Sequence, residues 1–448
     1  MNEIETALQR SRDTKALEFG EGAMERLPKM LEALFPGKKV VIVADDNTYN
    51  AAGRRVHGIL NDAGILMDEN FIFKDPELYA EWSYLEELEA YLKDRDAIPV
   101  AVGSGVINDL TKLASHHLGR CYIIVGTAAS MDGYTAYGAS ITFEGNKQTF
   151  DCPAPLGVVF DPAVAAKAPK GMSASGYADL LAKVPAGADW IIADVVGSEA
   201  IDDFAFGLVQ KKLRKALSDP AAVANGDVEA TGMLADGLIM SGFAMQAISS
   251  SRPASGTDHQ FSHFWDMEGL CFNGRHVSHG FKVGIGTMVS TACLEFLISK
   301  DLTKLDIDAC VAAWPTWEAQ EAYIRKIFEG KPGHLARGLA ESKAKYCGPE
   351  GVRNQLESIS ACWPELREKI RKQIIPFEDV RKMLKLAGAP SSPEEIGVSK
   401  ARLRDTFKCI PFMRNRFTGI DLIYRAGLLD EVTEHLFGCG GKFEVGLE

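Results

Sequence analysis

The sequence is poor in the features that mark the simplest function classes. It has no C-x-x-C pair, and its nine cysteines stand singly at Cys121, Cys152, Cys271, Cys293, Cys310, Cys347, Cys362, Cys409 and Cys439. An odd number of isolated cysteines in a chain of 448 residues predicts reduced thiols in the cytoplasm rather than a disulfide frame. Basic charge is also short. Forty-nine Lys and Arg against 61 Asp and Glu leave a net −12, which argues against a nucleic-acid binder, because a phosphate backbone demands a basic face. A local pocket for one small phosphate stays open. No run reads as the ~18 consecutive apolar residues of a membrane span, and the start, M-N-E-I-E-T, is too polar for a signal peptide. The expectation is therefore a protein without membrane insertion. Internal repeats and low-complexity tracts are missing too.

What is present is ordinary globular material, 46% hydrophobic and 25% charged, enough for two or three domains at this length. The first third alternates apolar runs with helical spacing. K-K-V-V-I-V-A-D-D from Lys38, N-F-I-F from Asn70, A-I-P-V-A-V-G from Ala97 and C-Y-I-I-V-G-T from Cys121 predict buried parallel strands. A helix is expected after the first of these, through N-T-Y-N-A-A-G-R-R-V-H-G-I-L, and another through E-W-S-Y-L-E-E-L. Ala139 onward predicts a hairpin turning at Glu144-Gly145-Asn146, and L-G-V-V-F-D-P adds one more strand. Beyond Asp161 strand signals nearly vanish. The reading is an α/β domain over residues 1–161, with a mainly parallel Rossmann-like sheet, and an all-helical domain over 162–448. Within the latter, C-F-N-G-R-H reads as a loop, and Ser392 with Glu395 has capping-box spacing.

Two partial motifs carry chemistry. In A-V-G-S-G-V-I-N-D-L-T-K a strand, a glycine turn and a helix follow one another, a cradle for pyrophosphate in which glycines admit a ligand and the helix start offers free N–H groups. It is not G-x-G-x-x-G, because Asn108 holds the last place. A second small-residue loop, G-T-A-A-S-M-D-G, closes the next strand. Asp45 ends the first strand, where an acid accepts hydrogen bonds from a ribose or, alternatively, caps a helix. The other motif is S-G-T-D-H-Q-F-S-H-F-W-D. It puts His259 and His263 one helical turn apart on one face. Gln260 replaces the glutamate of H-E-x-x-H, so a zincin protease is disfavoured. A metal site, a catalytic pair and two core histidines all remain open at this point. A divalent ion wants a third ligand, and Asp179 in S-G-Y-A-D-L-L-A-K is one candidate carboxylate among many.

Taken together, V-A-D-D-N-T, G-S-G-V-I-N-D-L-T-K, T-A-A-S-M-D-G, S-G-Y-A-D-L-L-A-K, S-S-R-P-A-S-G-T-D-H-Q-F-S-H, H-G-F-K-V-G-I-G and R-N-R-F-T-G-I-D-L-I-Y-R-A-G resemble the sn-glycerol-1-phosphate dehydrogenase family. The likeness is to its bacterial branch, within the iron-alcohol-dehydrogenase and dehydroquinate-synthase-like superfamily. The resemblance implies NAD or NADP, one divalent ion (Zn²⁺, Ni²⁺ or Fe²⁺), a small phosphorylated three-carbon substrate and a homodimer. It implies metal ligands at Asp179, His259 and His279, and substrate contacts at Asp132, Asp179 and His263, with Asp132 and His263 in the catalytic group. It implies cofactor contacts at Asp45, at Gly103, Ser104, Gly105, Val106 and Ile107, and at Thr127, Ala128, Ala129 and Ser130. Two departures stand out. Ala136 occupies the place of an expected serine, with Thr135 beside it, and the His259–His279 interval is long enough to bring in His276 as a rival ligand. Lys147, Lys183 and Arg252 are candidate phosphate partners. Rival readings are a polyol dehydrogenase, a dehydroquinate-synthase-like cyclase and a non-catalytic nucleotide-binding protein.

Overall fold

The computed structural model describes residues 3–446. Its main sheet has six strands: β1 (Ala16–Phe19), β2 (Lys39–Asp45), β3 (Phe71–Phe73), β4 (Ala97–Gly103), β5 (Ile123–Gly126) and β8 (Gly157–Phe160). Their order is β1-β8-β5-β4-β2-β3, and every neighbouring pair is parallel. β4, β5 and β8 are buried along their whole length, which is why they read as unbroken apolar runs rather than alternating ones. On one face, Val40, Ile42, Ala44, Val100, Val102 and Val125 share a core with Leu27, Leu31, Val56 and Leu60. Strands β6 (Ala139–Phe143) and β7 (Asn146–Phe150) form a separate antiparallel hairpin. Its turn is two residues, Glu144 and Gly145, both at positive φ, so Asn146 belongs to the strand rather than the turn.

The strand order fixes where a ligand is expected. The chain leaves β2 for β3 on one side, then returns to place β4 on the other. The switch between β2 and β4 opens a crevice at their C-terminal ends, which are Asp45 and Gly103. After β2 the helix is not regular. Tyr49–Gly53 is a π-turn inserted between Asp46–Thr48 and Arg54–Asp62.

After Phe160 the elements are helical, with one exception: Cys271–Phe272 and Arg275–His276 pair as a minimal hairpin around Asn273-Gly274. The N-G turn chemistry explains it, since both residues take positive φ. The Ser392–Glu395 capping box does not form. Pro393–Ile396 is a single 3₁₀ turn, and the Glu395 carboxylate accepts from the Ser391 N–H instead. One helix, His279–Ser299, is long and apolar enough to cross a membrane, at a mean hydropathy of 1.5, although Lys282 and Glu295 interrupt its apolar run. It is a core helix, with 83% of that window buried in the protein.

The chain forms two compact units, each built of separated segments. One comprises the residues up to Leu180 with Gly207–Ser251 and Leu386–Gly388; the other comprises Leu181–Phe206, Arg252–Lys385 and Ala389 onward.

Candidate active site

A side chain at Gly103 would meet Ile107 Cβ at 2.6 Å, so this glycine lets the strand seat closely on the helix. Gly103, Ser104, Gly105, Val106 and Ile107 run from the strand end into the Gly105–His117 helix, where no side chain caps the backbone N–H groups. Asn108, in place of the last glycine, is fully buried. Its Oδ1 accepts from the Tyr122 hydroxyl at 2.9 Å, and its Nδ2 donates to the Gly133 carbonyl at 3.2 Å. One turn on, buried Lys112 donates to the carbonyls of Gly133, Ala136 and Gly138 at 3.1, 2.8 and 3.0 Å. The helix that would hold the pyrophosphate therefore also holds the loop after β5. Asp45 is a helix cap: its Oδ1 accepts from the Thr48 N–H at 2.7 Å, and the Thr48 hydroxyl accepts from the Asp45 N–H at 3.0 Å.

That loop carries Thr127, Ala128, Ala129 and Ser130, all buried, and then half-buried Asp132. It rests on the Lys170–Val195 helix at Gly176, where any Cβ would overlap the Ala129 carbonyl oxygen. Three residues further, on the same helix face, Asp179 Oδ2 accepts from the Asp132 N–H at 3.1 Å. The Ser241 hydroxyl donates to Asp132 Oδ2 at 2.9 Å. Thr135 stands beside Ala136 at the end of the same loop. Its hydroxyl is buried and donates to the Ile239 carbonyl at 2.7 Å.

The two histidines of the S-G-T-D-H-Q-F-S-H motif lie on the Thr257–Met267 helix, and His279 opens the next long helix. These helices close tightly because Gly286 has no side chain to strike the Asp258 carbonyl. The rings of His259 and His279 come to 5.4 Å between centroids. Both flanking acids have work. Asp258 Oδ1 pairs with His259 Nδ1, and Asp266 pairs with buried Lys282. The Ser262 hydroxyl lies 3.3 Å from His279 Nδ1. Asp189, buried and without any sequence motif, accepts from the N–H of Thr257 and of Gly419, each at 2.7 Å, so it fixes the start of the histidine helix. Burial pushes its carboxyl up to about 6.

The ligand-capable atoms of Asp179, His259 and His279 all lie within 4.8 Å of one another. One carboxylate and two imidazoles, with Asp258 orienting one ring, suit a divalent ion of the Zn²⁺, Ni²⁺ or Fe²⁺ type. His276 is elsewhere: it is exposed on the small hairpin, 3.4 Å from Cys271 Sγ. His263 is half-buried, and its pKa falls well below the usual value, first through burial and then through the charges of Arg414 and Arg337. At neutral pH it is an uncharged imidazole. Of the phosphate candidates, Arg252 is fully buried and spends its guanidinium on the carbonyls of Phe417 and Asp189 at 2.9 and 2.6 Å. Lys183 is buried, and Lys147 lies 5.8 Å from the Tyr79 ring on β7.

Comparison with known proteins shows the family. Residues 18–169 match the family of iron-containing alcohol dehydrogenases. The glycerol-1-phosphate dehydrogenase (NAD(P)+) of Geobacillus thermodenitrificans is 36% identical over 325 residues, 72% of this chain and 77% of that one. The enzyme of the same name from Halalkalibacterium halodurans is 35% identical, covering 62% and 69%. That of Bacillus subtilis is 26% identical but covers 94% and 97%. Among solved structures, a probable glycerol dehydrogenase from Sinorhizobium meliloti superposes with a TM-score of 0.58 at 16% identity, covering 94% of this chain and 98% of that one, a likeness of fold.

Proposed function

Because this chain belongs to the glycerol-1-phosphate dehydrogenase family, within the iron-containing alcohol dehydrogenases, we propose that it reversibly reduces dihydroxyacetone phosphate to sn-glycerol 1-phosphate with NADH or NADPH. The observation that carries the reading is the Asp179, His259 and His279 group, with Asp132 tied to Asp179 by its own N–H. A divalent cation held there supplies Lewis-acid polarisation of a carbonyl. The chain supplies the rest. The free N–H groups at Ser104 to Ile107 and the Thr127–Ser130 loop hold the dinucleotide. Asp45 offers the ribose its second oxygen, since Oδ1 is spent on the cap.

Asp132, oriented by Ser241, accepts a hydrogen bond from a substrate hydroxyl and so fixes which carbonyl face meets the hydride. The neutral His263 acts as a hydrogen-bond partner of the substrate, and the proton for the new alcohol is drawn from water. In this reading residues 1–161 carry the dinucleotide contacts, and 162–448 carry the histidine ligands. The nine cysteines, all free, suit a reducing cytoplasm. A homodimer rests on the family resemblance alone.

The test is NADH oxidation by the Zn²⁺- or Ni²⁺-loaded protein with dihydroxyacetone phosphate, followed by chiral analysis of the product. His259→Ala is expected to lower kcat/KM at least a hundredfold and to release the metal. Equal activity in the two proteins would remove the metal site from the mechanism. Turnover of glycerol or another polyol alone would instead favour a polyol dehydrogenase, and phosphate release without net NADH consumption would favour a cyclase.

A further inference from the structure

Around the first residues of the histidine helix the structure gathers positive charge that the proposed chemistry has not used. Arg414 Nη1 donates to Ser255 Oγ at 3.0 Å, and Arg416 Nη1 donates to the Ser255 carbonyl at 2.8 Å. Arg337 Nε donates to the carbonyl of Met413, the residue before Arg414, at 3.3 Å. Arg337 stands one turn after His334, whose Nε2 reaches the Phe264 carbonyl at 3.0 Å, so its helix lies against His263's own helix. Glu199 lies 3.5 Å from Arg252 and 3.8 Å from Arg416, and Glu341 accepts from the Asn415 N–H at 2.8 Å.

We propose that Arg337 and Arg414, with His263 on the helix packed against that of Arg337, form the anion site that holds the phosphate of the substrate and makes phosphorylation the feature the enzyme selects. The proposal rests on the dehydrogenase reading for the identity of the phosphate's carrier. Among the described residues Arg337 bonds through Nε alone, which leaves both Nη groups for a ligand. A guanidinium fork matches phosphate oxygens two at a time. The electrostatics point the same way. Burial, with Arg416 and Arg337 next, pulls Arg414 down to about 9, a crowding of like charge that a bound dianion relieves. His263, held neutral, adds one N–H donor without further repulsion.

The experiment uses the metal-loaded protein and three variants: Arg337→Met, Arg337→Lys, and Arg353→Met as a remote control on an exposed helix face. Inorganic phosphate binding is measured by calorimetry. The kcat/KM for dihydroxyacetone phosphate is measured against that for dihydroxyacetone. Arg337→Met is expected to weaken phosphate binding at least tenfold. It should also lower the ratio of the two kcat/KM values at least tenfold, through KM, with partial recovery in Arg337→Lys and none of this in Arg353→Met. Phosphate binding and a ratio unchanged in Arg337→Met would overturn the site while leaving the dehydrogenase reading intact. A wild type that binds phosphate through Arg337 but does not reduce dihydroxyacetone phosphate would overturn that reading and keep the anion site.

Discussion

Asp189 joins two helix starts with one carboxylate, taking the N–H of Thr257 on one oxygen and of Gly419 on the other. Its carboxyl is raised to about 6, chiefly by burial. A raised pKa means that the folded protein binds the proton more tightly than the unfolded chain does. The associated stability is fully present below the unfolded value near 4 and is lost as pH rises through about 6. Asp189→Asn removes that titration. In thermal unfolding from pH 4 to 7, the stability of wild type relative to Asp189→Asn should therefore fall, by on the order of 2 kcal/mol. A constant difference would mean that Asp189 does not titrate there. Nothing in the sequence marks Asp189, because a buried cap is defined by what lies opposite it in space. Asp258 was closer to legible: it sits beside His259 in the motif, yet only the fold shows that it holds that ring's Nδ1. Conversely, the cap at Asp45 was visible as an alternative from its place at a strand end.

At the scale of elements, the closeness of His259 and His279 depends on one glycine. Gly286 lets the His279–Ser299 helix press its backbone against Asp258, the residue before His259. Gly286→Ala gains intrinsic helix propensity of about 1 kcal/mol, but its methyl has no room. The helices must part. The expected result is a net loss of stability of about 2 kcal/mol with weaker Zn²⁺ binding, read by thermal melts and by titration with a chromophoric chelator. Unchanged metal affinity would show that the pair tolerates separation. The strands of the sheet were legible because fully buried parallel strands leave unbroken apolar runs. The π-turn after β2 and the Cys271–His276 hairpin were not, since one depends on packing against a neighbour and the other is only two residues per strand.

At the scale of the whole molecule, the change of texture at Asp161 marks where the sheet ends rather than where its support ends. The Val228–Ile248 helix belongs to the same compact unit as the sheet. Gln246 accepts from the N–H groups of Asp13 and Thr14 at 3.0 and 3.2 Å, and Thr135 donates to Ile239. A fragment of residues 1–161 loses these buried partners, each worth roughly 1 kcal/mol, along with the apolar cover around them. It should lack a cooperative thermal transition, whereas the full chain shows one. A sharply melting fragment would refute this dependence. Sequence patterning shows where strand and helix signals change, but not which helices return to cover a sheet, because that is decided by contacts far apart in the chain.

Lys112 has three N–H bonds to give, and it gives them to the carbonyls of Gly133, Ala136 and Gly138. The ammonium is saturated by the loop it ties down. Lifting that loop would strand a cation in the interior, so the segment cannot breathe by itself as a surface lid does. Asp132, at the edge of that segment, is thereby held in place, and the segment moves only together with the helix that carries Lys112.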